Sequence, residues 1–345
     1  MRDIKDIKVS LVVAIYRSAP FMEKLMYSIL NQTHKNIEVI LVDDGSPDDS
    51  GLICDQYAAK DNRIVVIHKN NGGVCDARNK GMEAMTGEYF SVIDGDDWLE
   101  LDYTEYLLSL AVSVNADMAL SDSVFTSRDT KQNTEDNIEM WTPEQMAEYI
   151  IYPKMPIGPW NKLYKVSFIR EHELGYNTCM SGETPYFITM VAGCNPVIIK
   201  GHRRVYNYRM NNANSALTSR AVIYGKNALY NIKNVKHITK IRTPRHLAVI
   251  DWHIYRNYHF LLKLIIATNT YKENHKALIE CLLMIRLKFP FSFWNVRNDY
   301  SNHQKWSLFK HALFPIRYAK KGLIAEEKAL REDINLNYDS NKRLR

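Results

Sequence analysis

Short runs of apolar and β-branched residues alternate with amphipathic segments over the first hundred residues. The runs occupy residues 9–16, 37–42, 63–68 and 88–93. Between them, residues 20–32 and 74–85 have helical spacing, and Ser46-Pro47 predicts the start of another helix with Ser46 as its N-cap. This alternation predicts an α/β fold with a mostly parallel sheet, helices on both faces, and a ligand at the carboxyl ends of the strands.

The pattern changes along the rest of the chain. Residues 101–125 predict a helix and one further strand at 117–121, and residues 126–136 form a polar stretch typical of a loop. Beyond residue 211, long helical patterns with aromatic residues and lysines replace the strand signals. We therefore expect two domains, a catalytic domain at residues 1–219 and a helical, basic region at residues 220–345.

The charge balance changes at the same boundary. The whole chain of 345 residues has a net charge of +6, but residues 1–219 contain 21 Lys and Arg against 30 Asp and Glu, a net −9. Residues 220–345 contain 24 against 9, a net +15. The basic region predicts an anionic partner, such as a phospholipid surface, a lipid pyrophosphate or nucleic acid.

The sequence also indicates a compartment. The segment from Met1 to Lys5 has no continuous apolar core, and no apolar run approaches the ~20 residues that span a bilayer. The five cysteines form no C-x-x-C pair, so neither a zinc site nor a disulfide framework is expected. We expect a cytoplasmic protein.

Two acidic clusters follow predicted strands. Asp43-Asp44-Gly45-Ser46 comes after the second strand, where a carboxylate can bind a base or a ribose, or can simply cap the next helix. Asp94-Gly95-Asp96-Asp97 comes after the fourth strand and places three carboxylates within four residues. Such a cluster is either a solvated acidic turn or a site for Mg²⁺ or Mn²⁺ that is held jointly with a diphosphate.

A glycine-containing segment, residues 70–81, follows the third strand and begins a helix. Gly72-Gly73 allows close backbone approach, and Arg78 lies one turn into a helix whose N-terminus favours anions, so a phosphate is a candidate ligand. The segment has neither the G-x-G-x-x-G pattern of dinucleotide sites nor the pattern of a P-loop.

These three groups, in this order, resemble the family 2 glycosyltransferases of the GT-A fold, a class that includes bacterial polysaccharide enzymes. The resemblance covers about residues 8–215. It implies that Tyr16 stacks on uracil, Asp44 contacts the base, and Asp94 with Asp96 binds a metal, Mn²⁺ or Mg²⁺, and the ribose. The family usually has an asparagine after this tyrosine, whereas here Arg17 follows.

Two later motifs resemble parts of the acceptor and catalytic side of the family. Trp160, in Trp160-Asn161-Lys162-Leu163-Tyr164, is either a platform for a sugar ring or a core residue. In Ser181-Gly182-Glu183-Thr184, the family has Gly-Glu-Asp, whose carboxylate pair supplies the general base. Because Thr184 replaces the aspartate, the base is either Glu183 or a group elsewhere.

The last motif runs from Tyr206-Asn207-Tyr208-Arg209 to Asn214-Ser215 and resembles the segment that covers the diphosphate in the family. Arg209 is accordingly a candidate diphosphate ligand, and the alternative is an ordinary surface arginine. Farther on, Trp306 and Phe309 alternate with Lys305 and Lys310, as in an amphipathic segment at a membrane interface or a helix packed on the catalytic domain.

The resemblance implies an inverting, metal-dependent glycosyltransferase. It would transfer a sugar from a UDP-sugar to a hydroxyl of a lipid-linked or other glycan at the inner surface of the membrane, in bacterial surface polysaccharide synthesis. Nucleic acid is not an expected partner, because it leaves the acidic cluster unexplained and no recognition motif is present. A nucleotidyltransferase, or a sugar-binding protein that has lost its base, are the alternatives.

Overall fold

The computed structural model describes residues 3–152, 154–177, 181–210, 212 and 220–335. They form two compact units. The first comprises Met1–Ile150, Lys154–Thr178 and Met190–Arg209, and the second comprises Ile151–Pro153, Cys179–Thr189 and Met210–Arg345. The last segment of the second unit therefore begins at Met210, before the predicted boundary at 219/220, and two short earlier segments also belong to this unit. Ser219 itself lies outside the described residues.

The first unit is built on one large sheet. Its strands are β1 (Val9–Ile15), β2 (Ile37–Asp43), β3 (Ile64–His68), β4 (Tyr89–Asp94), β6 (Met118–Ser121), β7 (Glu139–Trp141), β8 (Lys162–Lys165) and β9 (Ile198–Gly201), while β5 (Trp98–Leu99) and β10 (Tyr206–Asn207) form a separate antiparallel pair. The order in the sheet is β3-β2-β1-β4-β8-β6-β9-β7. The strands β3, β2, β1 and β4 are parallel to one another, which confirms the predicted α/β fold with a mostly parallel sheet.

The central strands are buried because most of their residues are apolar. Every residue of β2 is buried, as expected for a strand covered on both faces. The helices are α1 (Met22–Leu30), α2 (Ser50–Ala58), α3 (Val74–Ala84), α4 (Tyr103–Ser113), α5 (Pro143–Ile151), α6 (Val166–Glu171) and α7 (Glu183–Gly193). Residues 183–189 of α7 belong to the second unit and its last residues to the first. Gly81 lets α3 lie close to the sheet, since a Cβ at this position would overlap Val12 of β1.

One local prediction was wrong. The helix α2 begins at Ser50, with Asp49 as its N-cap, and not at Ser46-Pro47. The reason is that the Ser46 backbone N–H donates to Asp43 Oδ1 at 3.0 Å, which holds Ser46 in a turn. The sequence pattern also gave no sign of β8, which pairs antiparallel with both β4 and β6.

Glu38 of β2 is a buried carboxylate that ties three parts of the first unit together. It accepts hydrogen bonds from Ser10 Oγ at 2.5 Å, from Thr86 N at 2.5 Å and from Gly87 N at 3.1 Å, and Lys8 Nζ lies 2.8 Å away. Burial opposes ionisation of Glu38, but the hydrogen bonds from Lys8, Ser10 and Thr86 outweigh it and lower the pKa to about 2.

Glu38→Gln should therefore destabilise the protein at neutral pH by roughly 2–3 kcal/mol. The pKa of Glu38 is lower in the folded state than in the unfolded state, so the stabilisation is present above pH 4.5 and is lost as the pH falls towards 2. Urea unfolding of wild type and variant at several pH values measures this. The two free energies of unfolding should converge at acid pH, and a constant difference down to pH 2 would contradict the assignment.

The second unit is helical. Its helices are α8 (Val222–Ile238), α9 (Pro244–Ala267), α10 (His275–Val296), α11 (Asn302–Leu313) and α12 (Pro315–Asn335). Pro244 occupies the first turn of α9, and the Thr243 side chain caps this helix by accepting from His246 N. The helix α9 is the central one, since α8, α10 and α12 all pack against it. Among the described residues, no helix is long and apolar enough to cross a bilayer.

Candidate functional site

The register of the parallel strands brings the predicted site residues to one edge of the sheet. Ala14 lies opposite Asp94, and Ile15 lies opposite Asp43, which in turn pairs with His68. Neighbouring strands are about 4.8 Å apart, so the residues that end β1, β2, β3 and β4 form one row. The structure thus brings Tyr16, Asp44 and Asp94 together at the carboxyl edge, as the strand pattern predicts.

Tyr16 is the exposed aromatic residue of this edge. Its side chain is 44% exposed although it directly follows the buried strand β1, and the Arg17 guanidinium lies 5.3 Å from the ring centroid. Arg17 itself has a φ of 53°, a left-handed conformation in which asparagine is favoured. Arg17 therefore adopts, with some strain, a conformation that an asparagine at this position would favour.

Asp44 organises the loop between β3 and α3. Its two carboxylate oxygens accept from Gly72 N and Gly73 N, each at 2.8 Å, and Lys69 Nζ lies 2.5 Å from Oδ1. Gly73 has a φ of 87° and precedes α3 as its N-cap, so this position requires glycine. Asp44 is almost fully buried by these contacts. The structure shows this loop-holding role, and the predicted contact with a base stays a prediction.

Asp94, the last residue of β4, is bound by Arg78. The Arg78 Nη2 atom lies 2.8 Å from Asp94 Oδ1, and the guanidinium also lies 5.2 Å from the ring centroid of Tyr176. Arg78 is buried, whereas Asp94 is half-buried. Arg78 therefore places positive charge directly beside the acidic motif, on Asp94, and its predicted contact with a phosphate remains untested.

The three aspartates of the motif have different surroundings. Asp97 is fully buried, and it accepts from Tyr206 Oη at 2.7 Å and from Arg209 N at 2.7 Å. Burial, together with the negative charges of Asp96 and Asp94, raises the pKa of Asp97 well above its ordinary value. Asp94 and Asp96 remain half-buried. Asp97 thus fixes the backbone, while Asp94 and Asp96 are the two half-buried carboxylates of the motif at the edge.

Arg209 lies against the same motif. Its Nε atom donates to the Asp96 backbone oxygen at 2.5 Å, and its guanidinium lies 4.6 Å from the ring centroid of Phe21 and 5.0 Å from that of Trp98. Arg209 is buried, so it is not an ordinary surface arginine. Its position beside Asp96 is compatible with the predicted diphosphate contact. Asn214 and Ser215, predicted to continue this segment, lie outside the described residues.

The carboxylates at this edge suit a metal whose coordination is completed by a bound diphosphate. Among the described residues, no group of three His, Cys, Asp or Glu side chains could hold a metal alone. Asp94 and Asp96 are half-buried at the edge, Asp94 with one oxygen on Arg78, whereas Asp97 is fully buried against Tyr206 and Arg209. Mg²⁺ commonly binds through one or two carboxylates together with substrate phosphates and water, so two carboxylates are sufficient when a donor is present.

Trp160 and its neighbours brace the sheet. The Trp160 ring stacks on Tyr206 at 4.7 Å and on Tyr208 at 5.3 Å and is buried, so in this structure it packs in the core. The Lys162 ammonium is buried, donates to Gly158 O at 2.6 Å, and has its pKa lowered by burial to about 7. These contacts show that the Trp-Asn-Lys element packs in the core. The predicted contact of Trp160 with a sugar stays a prediction.

Glu183 belongs to the second unit, where it is the first residue of α7 and is half-buried. The two residues before it, Ser181 and Gly182, have φ values of 79° and 80°. Asn231 Nδ2 of α8 donates to Ser181 O at 2.8 Å, which fixes this turn on the helical unit. Thr184 is buried, and its hydroxyl cannot replace a carboxylate as a base at neutral pH.

The sequence reasoning missed two residues of the edge. The Tyr206 hydroxyl donates to Asp97, a contact that the motif containing Tyr206 does not predict. Lys24 Nζ lies 3.6 Å from the ring centroid of Trp98, a contact that the sequence also does not predict. A spacing rule gives no signal for either contact, because both depend on the pairing of β5 with β10 and on the position of α1 beside β5.

Comparison with known proteins points to one class of enzyme. Residues 10–172, a little under half of the chain, match the model of glycosyl transferase family 2. The putative glycosyltransferase EpsH of Bacillus subtilis is 39% identical over 172 residues, 49% of this chain and 50% of the relative. Glycosyltransferase GlyA of Streptococcus pneumoniae is 31% identical over 221 residues, 59% of this chain and 31% of the relative. The match thus spans half or less of these relatives.

Solved structures confirm the GT-A fold. Staphylococcus aureus TarS 1–349 in complex with UDP-GlcNAc has a TM-score of 0.61 at 18% identity, over 80% of each chain. The mannosyltransferase PcManGT from Pyrobaculum calidifontis, in complex with GDP-Man and Mn²⁺, has a TM-score of 0.54 at 13% identity, over 96% of this chain and 88% of that one.

Proposed function

We propose that this protein is an inverting glycosyltransferase that transfers a sugar from a UDP-sugar to a hydroxyl of a glycan. One observation carries the proposal: the exposed Tyr16 and the half-buried Asp94 and Asp96 lie at the ends of the paired strands β1 and β4. An aromatic face suits a nucleobase, and paired carboxylates suit the metal-bound diphosphate of the same donor. The match of residues 10–172 to the glycosyl transferase family 2 model supports this class of reaction.

Separate residues support binding of the two ends of the donor, its base and its diphosphate. Tyr16 offers a ring for the base, and Asp44 holds the neighbouring glycine loop through Gly72 N and Gly73 N. Asp94 and Asp96 would hold Mn²⁺ or Mg²⁺, which neutralises negative charge on the diphosphate leaving group when bound. Arg209, on the Asp96 backbone, adds a positive charge on the same side of the site. The relatives that were solved with UDP-GlcNAc and with GDP-Man and Mn²⁺ support a donor of this kind.

Tyr16→Ala should weaken binding of UDP by about tenfold to a hundredfold, because stacking of a base on an aromatic side chain contributes roughly 1–3 kcal/mol. Tyr16→Phe should bind nearly as well as wild type, since it keeps the ring. Isothermal titration of UDP in the presence of Mn²⁺ measures both affinities.

Tyr27 provides the matched control. It is 43% exposed, close to the 44% of Tyr16, but it lies on α1 and not at a strand end. Tyr27→Ala should leave UDP affinity unchanged. Equal affinities of Tyr16→Ala and wild type would remove Tyr16 from the donor site.

We assign Glu183 as the general base that takes the proton of the acceptor hydroxyl, which allows direct displacement with inversion. Its carboxylate is the one remaining at the position where the family has a Glu-Asp pair. We further propose a lipid-linked glycan acceptor at the cytoplasmic face of the membrane, in bacterial surface polysaccharide synthesis. The basic helical unit, with a net +15 over residues 220–345, supports a negatively charged or membrane-bound acceptor.

A screen of nucleotide-sugars against lipid-linked oligosaccharide acceptors, read by mass spectrometry, tests the function as a whole. A glycosyltransferase forms a product heavier by one sugar and releases a nucleoside diphosphate. Release of pyrophosphate would instead identify a nucleotidyltransferase. Binding of a donor without turnover of any acceptor would identify a sugar-binding protein that has lost its base.

A further inference from the structure

One face of the second unit exposes a row of large apolar side chains. On α10, Leu283, Leu287, Phe291 and Trp294 follow one another at intervals of four, four and three residues, which places them on one side of the helix. Phe291 is 78% exposed and Trp294 is 62% exposed. A core-facing stripe would be covered, so this stripe is available for an external partner.

The next two helices add to this apolar surface. The exposed large apolar residues of α11, α12 and the turn between them are Trp306, Phe309, Leu313, Phe314, Ile316 and Ile324. Tryptophan and phenylalanine are favoured at the boundary between water and lipid. Together with the stripe on α10 they form what we call the apolar face, residues 283–324 of α10–α12.

The same stretch of chain is almost free of negative charge. Residues 281–325 contain one acidic residue, Asp299, which is bound by Arg245 at 2.9 Å. The stretch contains eight basic residues: Arg286, Lys288, Arg297, Lys305, Lys310, Arg317, Lys320 and Lys321. Within the ranges that the structure describes, none of the eight forms an ion pair with a carboxylate. This density of positive charge next to exposed apolar groups favours an anionic, partly apolar partner.

Four of these cations meet at a cleft. Arg286 of α10 and Arg317, Lys320 and Lys321 of α12 are exposed and line an opening of about 770 Å³. Leu313, Phe314, Ile316 and Ile324 line the same cleft. The combination of guanidinium and ammonium groups with aliphatic and aromatic walls matches a phosphate headgroup and the first carbons of its acyl chains.

We propose that the apolar face docks on a bilayer that contains anionic phospholipid, with lipid phosphates at the four cations of the cleft. A second copy of this chain is a poorer occupant, because a two-fold interface would place the eight cations of one copy against those of the other. The proposal rests on the proposed function in one respect: docking would serve to bring the enzyme to a lipid-linked acceptor. The docking itself requires no catalysis.

Sedimentation with vesicles tests the proposal. The full chain should bind vesicles of phosphatidylcholine with phosphatidylglycerol and bind poorly to phosphatidylcholine alone, and added salt should release it. Combined replacement of Arg286, Arg317, Lys320 and Lys321 by Gln should lower the partition coefficient at least about tenfold. The control replaces Lys226, Lys240, Lys272 and Lys276, which are also exposed in the second unit, by Gln, and it changes the net charge equally.

Tryptophan fluorescence gives a second readout, because the chain has six tryptophans and only Trp294 and Trp306, at 62% and 66%, are exposed. Their emission should shift to the blue on anionic vesicles and be quenched by brominated acyl chains. Replacing both by Phe should abolish the shift while binding persists. A blue shift caused by protein concentration alone, without lipid, would assign the face to a second copy and overturn the proposal.

Three further results would also overturn it: equal losses in the cleft variant and its control, equal binding to neutral and anionic vesicles, or no vesicle binding by wild type. Transfer to a soluble acceptor should be unchanged in the cleft variant. If the protein does not dock on vesicles but still transfers sugar, the docking proposal fails and the proposed function is kept. If it docks on vesicles but transfers no sugar, the proposed function fails and the docking proposal is kept.

Discussion

Replacing Asp96 by asparagine is expected to lower kcat for sugar transfer by about a thousandfold. A bound divalent cation stabilises charge on the leaving diphosphate by several kcal/mol, and each 1.4 kcal/mol corresponds to about tenfold in rate. Asn keeps the shape of the side chain but not its charge. Since Asp96 is half-buried at the sheet edge, the fold should tolerate the exchange.

Initial rates at varied Mn²⁺ concentrations measure this effect. Asp6→Asn is the control, because Asp6 is exposed and precedes β1, whose other end carries Tyr16. Asp94→Asn should also lose activity, but in addition it should lower the melting temperature, since it leaves buried Arg78 without its carboxylate. Full activity of Asp96→Asn in the presence of a chelator would show that the metal role is wrong.

The sequence predicted the half of the sheet that carries the donor side. Strands β1, β2 and β4 are runs of six or seven residues in which apolar residues predominate, each followed by a polar turn, and such runs indicate buried parallel strands. Because parallel strands end at the same edge, Tyr16, Asp44 and Asp94 could be placed together without a structure. The register confirms this placement.

The sequence could not separate the three aspartates of the acidic motif. Asp94, Asp96 and Asp97 are chemically equivalent in the sequence, and their difference arises from distant partners. Asp97 is buried because Tyr206 and Arg209, more than a hundred residues away, bind it. A local pattern has no access to such pairing. The same limit applies to β8. It pairs antiparallel with β4 and β6, which both come earlier in the chain, and a local pattern does not show such pairing.

The two arginines show how burial changes an interpretation. Arg78 and Arg209 were both predicted as ligands of a phosphate, since arginine at a strand end or helix start suits that role. The structure buries both beside the acidic motif, with Arg78 on Asp94 and Arg209 on the Asp96 backbone. Their charge acts on the metal end of the proposed donor site, and Arg78→Lys should perturb the motif because lysine lacks the planar guanidinium.

Glu183→Gln is expected to lower kcat by a hundredfold to ten-thousandfold, the range typical of losing a general base. The amide keeps the size of the side chain at the start of α7 but cannot take a proton. Donor binding should be unchanged, because the base acts on the acceptor. The effect should therefore appear in kcat with little change in the affinity for UDP.

The split between turnover and binding distinguishes a base from a structural residue. Glu183→Gln should lower kcat while the affinity for UDP and the melting temperature stay those of wild type. Glu273→Gln is the matched control, since Glu273 is an exposed glutamate of the same helical unit. If Glu183→Gln retained wild-type turnover, the base would lie elsewhere, and the exchange of the family aspartate for Thr184 would be a change in the position of the base.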